Sequence, residues 1–224
     1  AVADVDNNGE KDLFIAGSKG NSAKLFLNTN NHFTESKTQV FEKNKVSEDA
    51  ESVFFDADGD GDLDLYVCSG GVEFSKYSPY YLDKLYFNDG KGNFTESNQI
   101  LPTAIGYHST STVAVADVDN DHDLDLFVGE RTIPNAYGTP GSGFLLINDG
   151  KGHFTEESGK IAPQLKDLGM ITDALFIDIN NDNFKDLVVV GEFMGIRVFE
   201  NKNGNFKESQ NTKLSNLKSK LIGV

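Results

Sequence analysis

The chain has 224 residues, 38% of them hydrophobic and 25% charged, with no apolar run near the roughly 20 residues that span a bilayer; this excludes a disordered or helical membrane polypeptide and leaves room for one domain with a core. A formal net charge of −15 excludes general binding to nucleic acid, whose phosphates would be repelled. The single cysteine, Cys68, excludes an internal disulfide and, within Leu65-Tyr66-Val67-Cys68, reads as a buried strand residue rather than a reactive thiol.

The chain opens at Ala1, inside a pattern that recurs, so it reads as cut within a repeat unit, with any targeting segment outside it. The first acidic segment runs from Ala3-Asp4 to Asp12-Leu13, and its counterparts are Phe55-Asp56 to Asp64-Leu65, Ala116-Asp117 to Asp125-Leu126 and Ile177-Asp178 to Asp186-Leu187. Their leading acids are spaced by 52, 61 and 61 residues. A second signature follows each: Asn28 to Glu35, Asn88 to Glu96, Asn148 to Glu156 and Asn201 to Glu208, every one ending in Phe-Thr-Glu or Phe-Lys-Glu.

Within a unit, apolar or alternating runs such as 52–55 and 112–116 precede the acidic loop, and 63–67 and 124–128 follow it, as short strands. The third strand ends at Asn-Asp-Gly, where Asn and Gly tolerate the positive φ of a hairpin turn, and Phe-Thr-Glu makes the fourth. A four-stranded meander cannot bury both faces alone, so four such units predict an all-β fold, a β-propeller of four-stranded blades. The repeats are placed at about 1–45, 46–108, 109–170 and 171–213, with 214–224 leading into a further blade.

Counting the first Asp of each loop as one, oxygen side chains stand at positions one, three, five and nine. They are Asp4, Asp6, Asn8 and Asp12; Asp56, Asp58, Asp60 and Asp64; Asp117, Asp119, Asp121 and Asp125; and Asp178, Asn180, Asp182 and Asp186. Three, four, four and three of these are carboxylates, close to the whole net charge of −15. Such crowding is relieved by a hard cation, and Ca²⁺ takes six to eight oxygens; the backbone carbonyl at position seven, from Glu10, Asp62, Asp123 or Phe184, is the expected further ligand. An EF-hand would close with Glu at position twelve, where this chain has Ile15, Val67, Val128 and Val189 inside strands. Mg²⁺ demands tighter octahedral geometry, and transition metals prefer His or Cys, which do not line these loops. Four Ca²⁺ sites, one per repeat, are the expectation, against solvated turns without metal.

These motifs resemble the FG-GAP, or VCBS, repeat family. The resemblance implies β-propeller blades with Asp-x-Asp-x-Asp-Gly-x-x-Asp calcium loops, as in the integrin α-subunit head, and a chain similar to large repeat proteins of bacterial cell surfaces. Asn8, His122 and Asn183 depart from the motif's Asp or Gly, which implies weaker binding in those loops. Family propellers commonly have seven or eight blades, so four units read as part of a larger ring, a closed four-bladed ring being the alternative.

The loops opposite the acidic ones carry insertions at 69–83 and 129–143. They bring Tyr77, Tyr80, Tyr81, Glu130, Arg131 and Tyr137, and a linker adds Tyr107 and His108, a composition suited to a protein or carbohydrate ligand. Solvated loops and packing between blades are the alternative for these residues. No Ser/His/Asp, phosphate-loop or zinc constellation occurs, since Gly-Lys-Gly at 90–92 is a hairpin turn with no helix after it.

Three functional readings stand. The first is a non-catalytic, calcium-stabilised binding or scaffold module at the cell surface or outside the cell, or in the periplasm, because calcium is plentiful there and loops with Kd near roughly 10⁻⁴–10⁻³ M would fill. The second is a polysaccharide-active enzyme, or its carbohydrate-binding propeller, with Glu130 and Glu192 as paired carboxylates and His108 as a base. The third is a purely structural repeat.

Overall fold

The computed structural model describes residues 1–103 and 106–210; the expected lead into a further blade, 214–224, lies outside them. The described residues form four four-stranded antiparallel sheets, each a meander in chain order. The first comprises β1 (Val2–Ala3), β2 (Asp12–Ile15), β3 (Lys24–Thr29) and β4 (His32–Glu35). The second comprises β5 (Asp49–Phe55), β6 (Asp64–Ser69), β7 (Lys84–Asn88) and β8 (Phe94–Glu96). The third comprises β9 (Ser109–Ala116), β10 (Asp125–Thr132), β11 (Gly143–Asn148) and β12 (Phe154–Glu156), and the fourth β13 (Met170–Ile177), β14 (Asp186–Glu192), β15 (Arg197–Lys202) and β16 (Asn205–Glu208). Among the described residues helix is confined to one turn at Ser158–Ile161 and three short 3-10 turns, two in linkers between sheets and one, Pro79–Tyr81, in the insertion between β6 and β7.

The sheets stack in chain order through three separate apolar cores. Strand alternation explains how. In β6 every residue is buried: Leu65 and Val67 point at the first sheet, packing with Val5, Phe14 and Leu25, while Tyr66 and Cys68 point at the third, packing with Leu126 and Val128. In β10, Phe127 turns the other way and joins Leu187, Val189 and Phe199 of the fourth sheet. Each fully buried aromatic or aliphatic side chain contributes about 1.5–3 kcal/mol. The innermost strands β5, β9 and β13 pack on one another, so the strand order runs from the centre of the stack outward.

Cys68 is a free, buried cysteine whose thiol burial pushes well above its usual pKa, so it is a packing residue. A signal passed over in the sequence is the Asn that opens the second signature. It sits at the end of the third strand as well as at its turn, and its side chain ties one sheet to the next. Asn88 donates to the Val5 carbonyl at 2.8 Å, Asn148 to Ala57 at 2.7 Å and Asn201 to Val118 at 2.7 Å, each carbonyl belonging to position two of the preceding acidic loop.

Candidate functional site

Each acidic loop joins the first and second strands of its sheet, and the same hydrogen bonds shape all four. The position-one carboxylate caps the turn: Asp4 accepts from the Gly9 N–H at 2.8 Å, Asp56 from Gly61 at 3.0 Å, Asp117 from His122 at 3.1 Å and Asp178 from Asn183 at 3.0 Å. Position five accepts from residue seven, Asn8 from Glu10 at 2.7 Å, Asp60 from Asp62 at 2.9 Å, Asp121 from Asp123 at 3.0 Å and Asp182 from Phe184 at 3.0 Å.

Position nine is a buried staple. One oxygen of Asp64 accepts from the Ala57 N–H at 2.9 Å and the other from Asn88 at 2.8 Å; Asp12, Asp125 and Asp186 make the same pair of bonds, to Val5 and Asn28, Val118 and Asn148, and Ile179 and Asn201. The loop thereby holds its third strand in register with its own entrance.

Positions four and six both need the left-handed region. Asn7, Gly59, Asn120 and Asn181 take φ of 58°, 75°, 62° and 61°, and Gly9, Gly61, His122 and Asn183 take 89°, 92°, 80° and 71°. Gly and Asn adopt this conformation at little cost, so His122 is the one strained substitution. The departure of His122 and Asn183 from Gly leaves the backbone course unchanged.

Carboxylate oxygens of Asp4, Asp6 and Asp12 lie within 4.8 Å of one another, as do those of Asp56, Asp58 and Asp64, and of Asp117, Asp119 and Asp125; each group could hold a metal ion. Asp60 and Asp121, at position five, stand outside these groups. In the fourth loop Asp178, Asp182 and Asp186 form no such group, and Asn180 at position three donates its amide to Asp182 Oδ2 at 3.0 Å. At position seven the side chains are otherwise engaged: Glu10 accepts from the Asn30 N–H, and Asp62 accepts from Asn7 Nδ2 of the preceding loop at 2.8 Å.

The electrostatics are those of unbalanced negative charge. The buried Asp6 Oδ1 and Asp119 Oδ1 have no hydrogen-bond partner. Burial first, and neighbouring loop carboxylates second, raise the pKa of Asp6, Asp58 and Asp119. Asp64 and Asp125 are pushed up to about 7, again chiefly by burial, against the pull of their two N–H donors. The donors are hard oxygens without His or Cys, the set a Ca²⁺-type cation takes.

The insertions lie at the other end of the meanders, in two groups. Around Phe74, Tyr80 and Tyr81 stand at 4.9 and 5.8 Å between ring centroids, with Lys19 Nζ 4.6 Å from the Phe74 ring. Around Glu192, Arg131 pairs through its guanidinium, Tyr137 donates its hydroxyl at 2.8 Å and Phe193 meets the Tyr137 ring edge-on at 6.3 Å. Tyr77, Tyr80 and Tyr137 are exposed, and Tyr107 and His108 half-buried.

Two of the expected ligand-face residues face inward instead. Tyr81 is buried, exchanging hydrogen bonds with the Phe74 backbone at 3.0 Å, and Glu130 is buried, accepting from the Ser142 N–H at 3.2 Å with His108 Nδ1 3.3 Å away. Both brace their loops, because an insertion long enough to fold back on itself must bury part of its own chain. Glu192 is held below its usual pKa by Tyr137 first and Arg131 second, which keeps it ionised and unsuited to donating a proton.

One buried acid escaped the sequence reading altogether. Asp83 accepts from Tyr66 OH at 2.7 Å, the Ser69 N–H at 2.7 Å and Thr110 Oγ1 at 2.5 Å, joining the second sheet to the third, and burial raises its pKa to about 6. Nothing in its Leu-Asp-Lys context marks it, since its donors come from two separate strands, β6 and β9.

Compared with known families, the chain matches the FG-GAP-like repeat over residues 4–67 and 71–128, more than half its length. No curated protein matches the chain. The first matched segment runs from the first acidic loop into the strand after the second, and the other from the insertion after β6 into the strand after the third, so together they contain three of the four acidic loops. The chain belongs to the FG-GAP-like repeat family.

Proposed function

We propose that the chain is an arc of a β-propeller in which Ca²⁺ in the acidic loops rigidifies repeats at 1–45, 46–108, 109–170 and 171–213, and that it serves outside the cell as a non-catalytic binding or scaffold module. The observation that carries the metal reading is the threefold gathering of carboxylates from positions one, three and nine, with buried oxygens of Asp6 and Asp119 lacking any protein donor. Asp4, Asp6, Asn8, Asp12 and the Glu10 carbonyl would hold the ion in the first loop, and their counterparts in the second and third. The fourth, with Asp178, Asn180, Asp182, Asp186 and the Phe184 carbonyl, would hold it more weakly.

Repeats of this family point to a binding or scaffold module, and the exposed Tyr77, Tyr80 and Tyr137 with Arg131 offer a protein or glycan ligand flat apolar contact beside charge. An extracellular location accords with loops that need abundant calcium. No helix among the described residues is long and apolar enough to cross a membrane.

The test is calorimetric titration of the calcium-free chain together with thermal unfolding in calcium, in magnesium and in chelator. Three tight sites and a fourth weaker one, with a melting temperature restored by calcium and not by equal magnesium, are expected. No heat of binding and no effect of chelation would sink the metal reading.

A further inference from the structure

Two neighbouring junctions between sheets are closed beneath the hairpin of the third and fourth strands, and the next one is open. Between the first and second sheets a Cβ added to Gly92 would stand 3.1 Å from Leu27, and between the second and third one added to Gly152 would run into the Phe87 ring. Leu27 and Phe87 each stand just before the hairpin Asn of their own sheet and fill the space under the hairpin of the next. Between the third and fourth sheets Gly204 keeps its contact with position three of the preceding loop, its Cβ position 3.0 Å from Asp119 Cβ, as that of Gly152 is 3.5 Å from Asp58 Cβ. Ile147, the counterpart of Phe87, does not come within 4 Å of it, and the hairpin from Asn201 to Phe206 is one residue shorter than that from Asn148 to Phe154. A pocket of about 510 Å³ opens there, walled among others by Ile147, Thr155, Glu157, Lys160, Ile161 and Asn205.

The closed junction also shows which chemistry the open one is missing. Gln99, in the linker after the second sheet, lays its carboxamide against the third hairpin: Nε2 donates to the Gly152 carbonyl at 2.6 Å and Oε1 accepts from the Phe154 N–H at 2.8 Å. Counted from the Glu that ends the fourth strand, Glu96 or Glu156, the counterpart of Gln99 after the third sheet is Gly159. It has no side chain to offer, and it stands in the helical turn Ser158–Ile161 with nothing within 4 Å of its Cβ position. Among the described residues no side chain of this linker bonds to Gly204 or Phe206, the counterparts of Gly152 and Phe154.

We infer that this pocket docks an extended segment of a partner polypeptide, which sets a glutamine where Gln99 sits one junction earlier and an apolar residue over Ile147 and Ile161. The glutamine amide donates to the Gly204 carbonyl and its oxygen accepts from the Phe206 N–H. Charge selects a carboxamide over a carboxylate, because Asp119, Asp121, Asp149 and Glu157 stand around the pocket against only Lys160 and His153. A polypeptide is favoured over a sugar because a stretch of polypeptide fills the matching place between the second and third sheets, and the volume is within the range of ligand pockets. The walls are facing sides of adjacent sheets and the linker between them. The pocket lies at the acidic-loop end of the sheets, so it is a second binding surface, separate from the aromatic insertions.

The probe is a fluorescein-labelled peptide with the sequence of residues 96–102, followed by anisotropy as the folded chain is titrated into it in saturating calcium. Saturable binding is expected, weakened at least tenfold when the peptide's glutamine is replaced by glutamate. Ile147→Phe, which gives the third sheet the ring that Phe87 gives the second, should weaken binding at least tenfold. Thr155→Trp, at an exposed strand position on the pocket wall, should do the same with an unchanged circular dichroism spectrum. Thr95→Trp, the same position one sheet earlier, should leave binding unchanged and controls for the added ring. No saturable binding, equal binding of the two peptides, or binding unaffected by Thr155→Trp would each overturn the proposal. Saturable binding of maltose where the peptide does not bind would overturn it too, and would assign the pocket to a glycan.

Discussion

The second and fourth acidic loops follow the same backbone course and carry different chemistry. Both have positive φ at positions four and six, and both staple two backbone N–H groups with the position-nine aspartate. They part at position three. Asp58 is crowded against Asp56 and Asp64 and has its pKa raised, whereas Asn180 supplies an amide donor to Asp182 and settles the local charge from within. Loop shape and loop charge are thus separate properties: the first is set by Gly, Asn and the staple, the second by one atom exchanged at position three.

The largest expected effect comes from removing the cation. At calcium a hundredfold above Kd, each filled loop stabilises the fold by about 2.7 kcal/mol, so chelation should cost several kcal/mol over three loops, read as a fall in denaturation midpoint. If charge and shape are separable, the far-ultraviolet circular dichroism of the calcium-free chain will nonetheless remain that of a β protein.

Next in size is the staple. In chelator, Asp64→Ala leaves two buried N–H groups unpaired and should cost about 2–6 kcal/mol, and Asp186→Ala should cost a similar amount although its loop lacks the acidic group. Asp60→Ala in the same buffer should cost less, about 0.5–1.5 kcal/mol, because its side chain gives up a single solvent-exposed hydrogen bond, from the Asp62 N–H, where Asp64 gives up two buried ones. Equal losses for Asp60→Ala and Asp64→Ala in chelator would erase the distinction.

The loops have to be separated from the buried acid on the opposite side of the second sheet. Asp83 is pushed up to about 6 in the folded state, above the ordinary 3.8, so the folded chain keeps this proton longer than the unfolded chain. Stability from this group is therefore full below pH 3.8, is lost as pH rises to 6, and is level above that. Relative to Asp83→Asn, wild-type chain in chelator should lose up to about 3 kcal/mol between pH 4 and 7. Asp49, raised to about 6 by burial, is present in both proteins and cancels in the difference. Parallel profiles for the two proteins would show that Asp83 titrates normally.

The smallest effect is the sharpest on the comparison itself. Asn180→Asp removes the internal donor and gives the fourth loop a carboxylate at the position that Asp58 holds in the second. Its calcium affinity should rise roughly tenfold, about 1.4 kcal/mol, with the calorimetric count of tight sites going from three to four.

The repeat made much of this molecule legible. Four acidic segments and four Phe-x-Glu signatures in fixed order located the sheets, because strand alternation and turn chemistry are local and written in adjacent residues. The carboxylates of the loops were legible for the same reason, all lying within nine residues. The inter-sheet role of Asn88, Asn148 and Asn201 was hidden behind their equally good reading as turn residues, since their partners Val5, Ala57 and Val118 lie a full repeat away. The burial of Tyr81 and Glu130 is not legible in the sequence, because an insertion's own folding leaves no periodic trace.

By itself, then, the sequence determined an all-β chain of four repeated meanders with acidic turns, through short-range patterns of charge, φ preference and alternation. Only the tertiary structure decided which carboxylates meet and which side chains bridge the sheets. It alone singled out Asp83 among the acids. Those outcomes depend on distances between residues far apart in the chain, which no local pattern encodes.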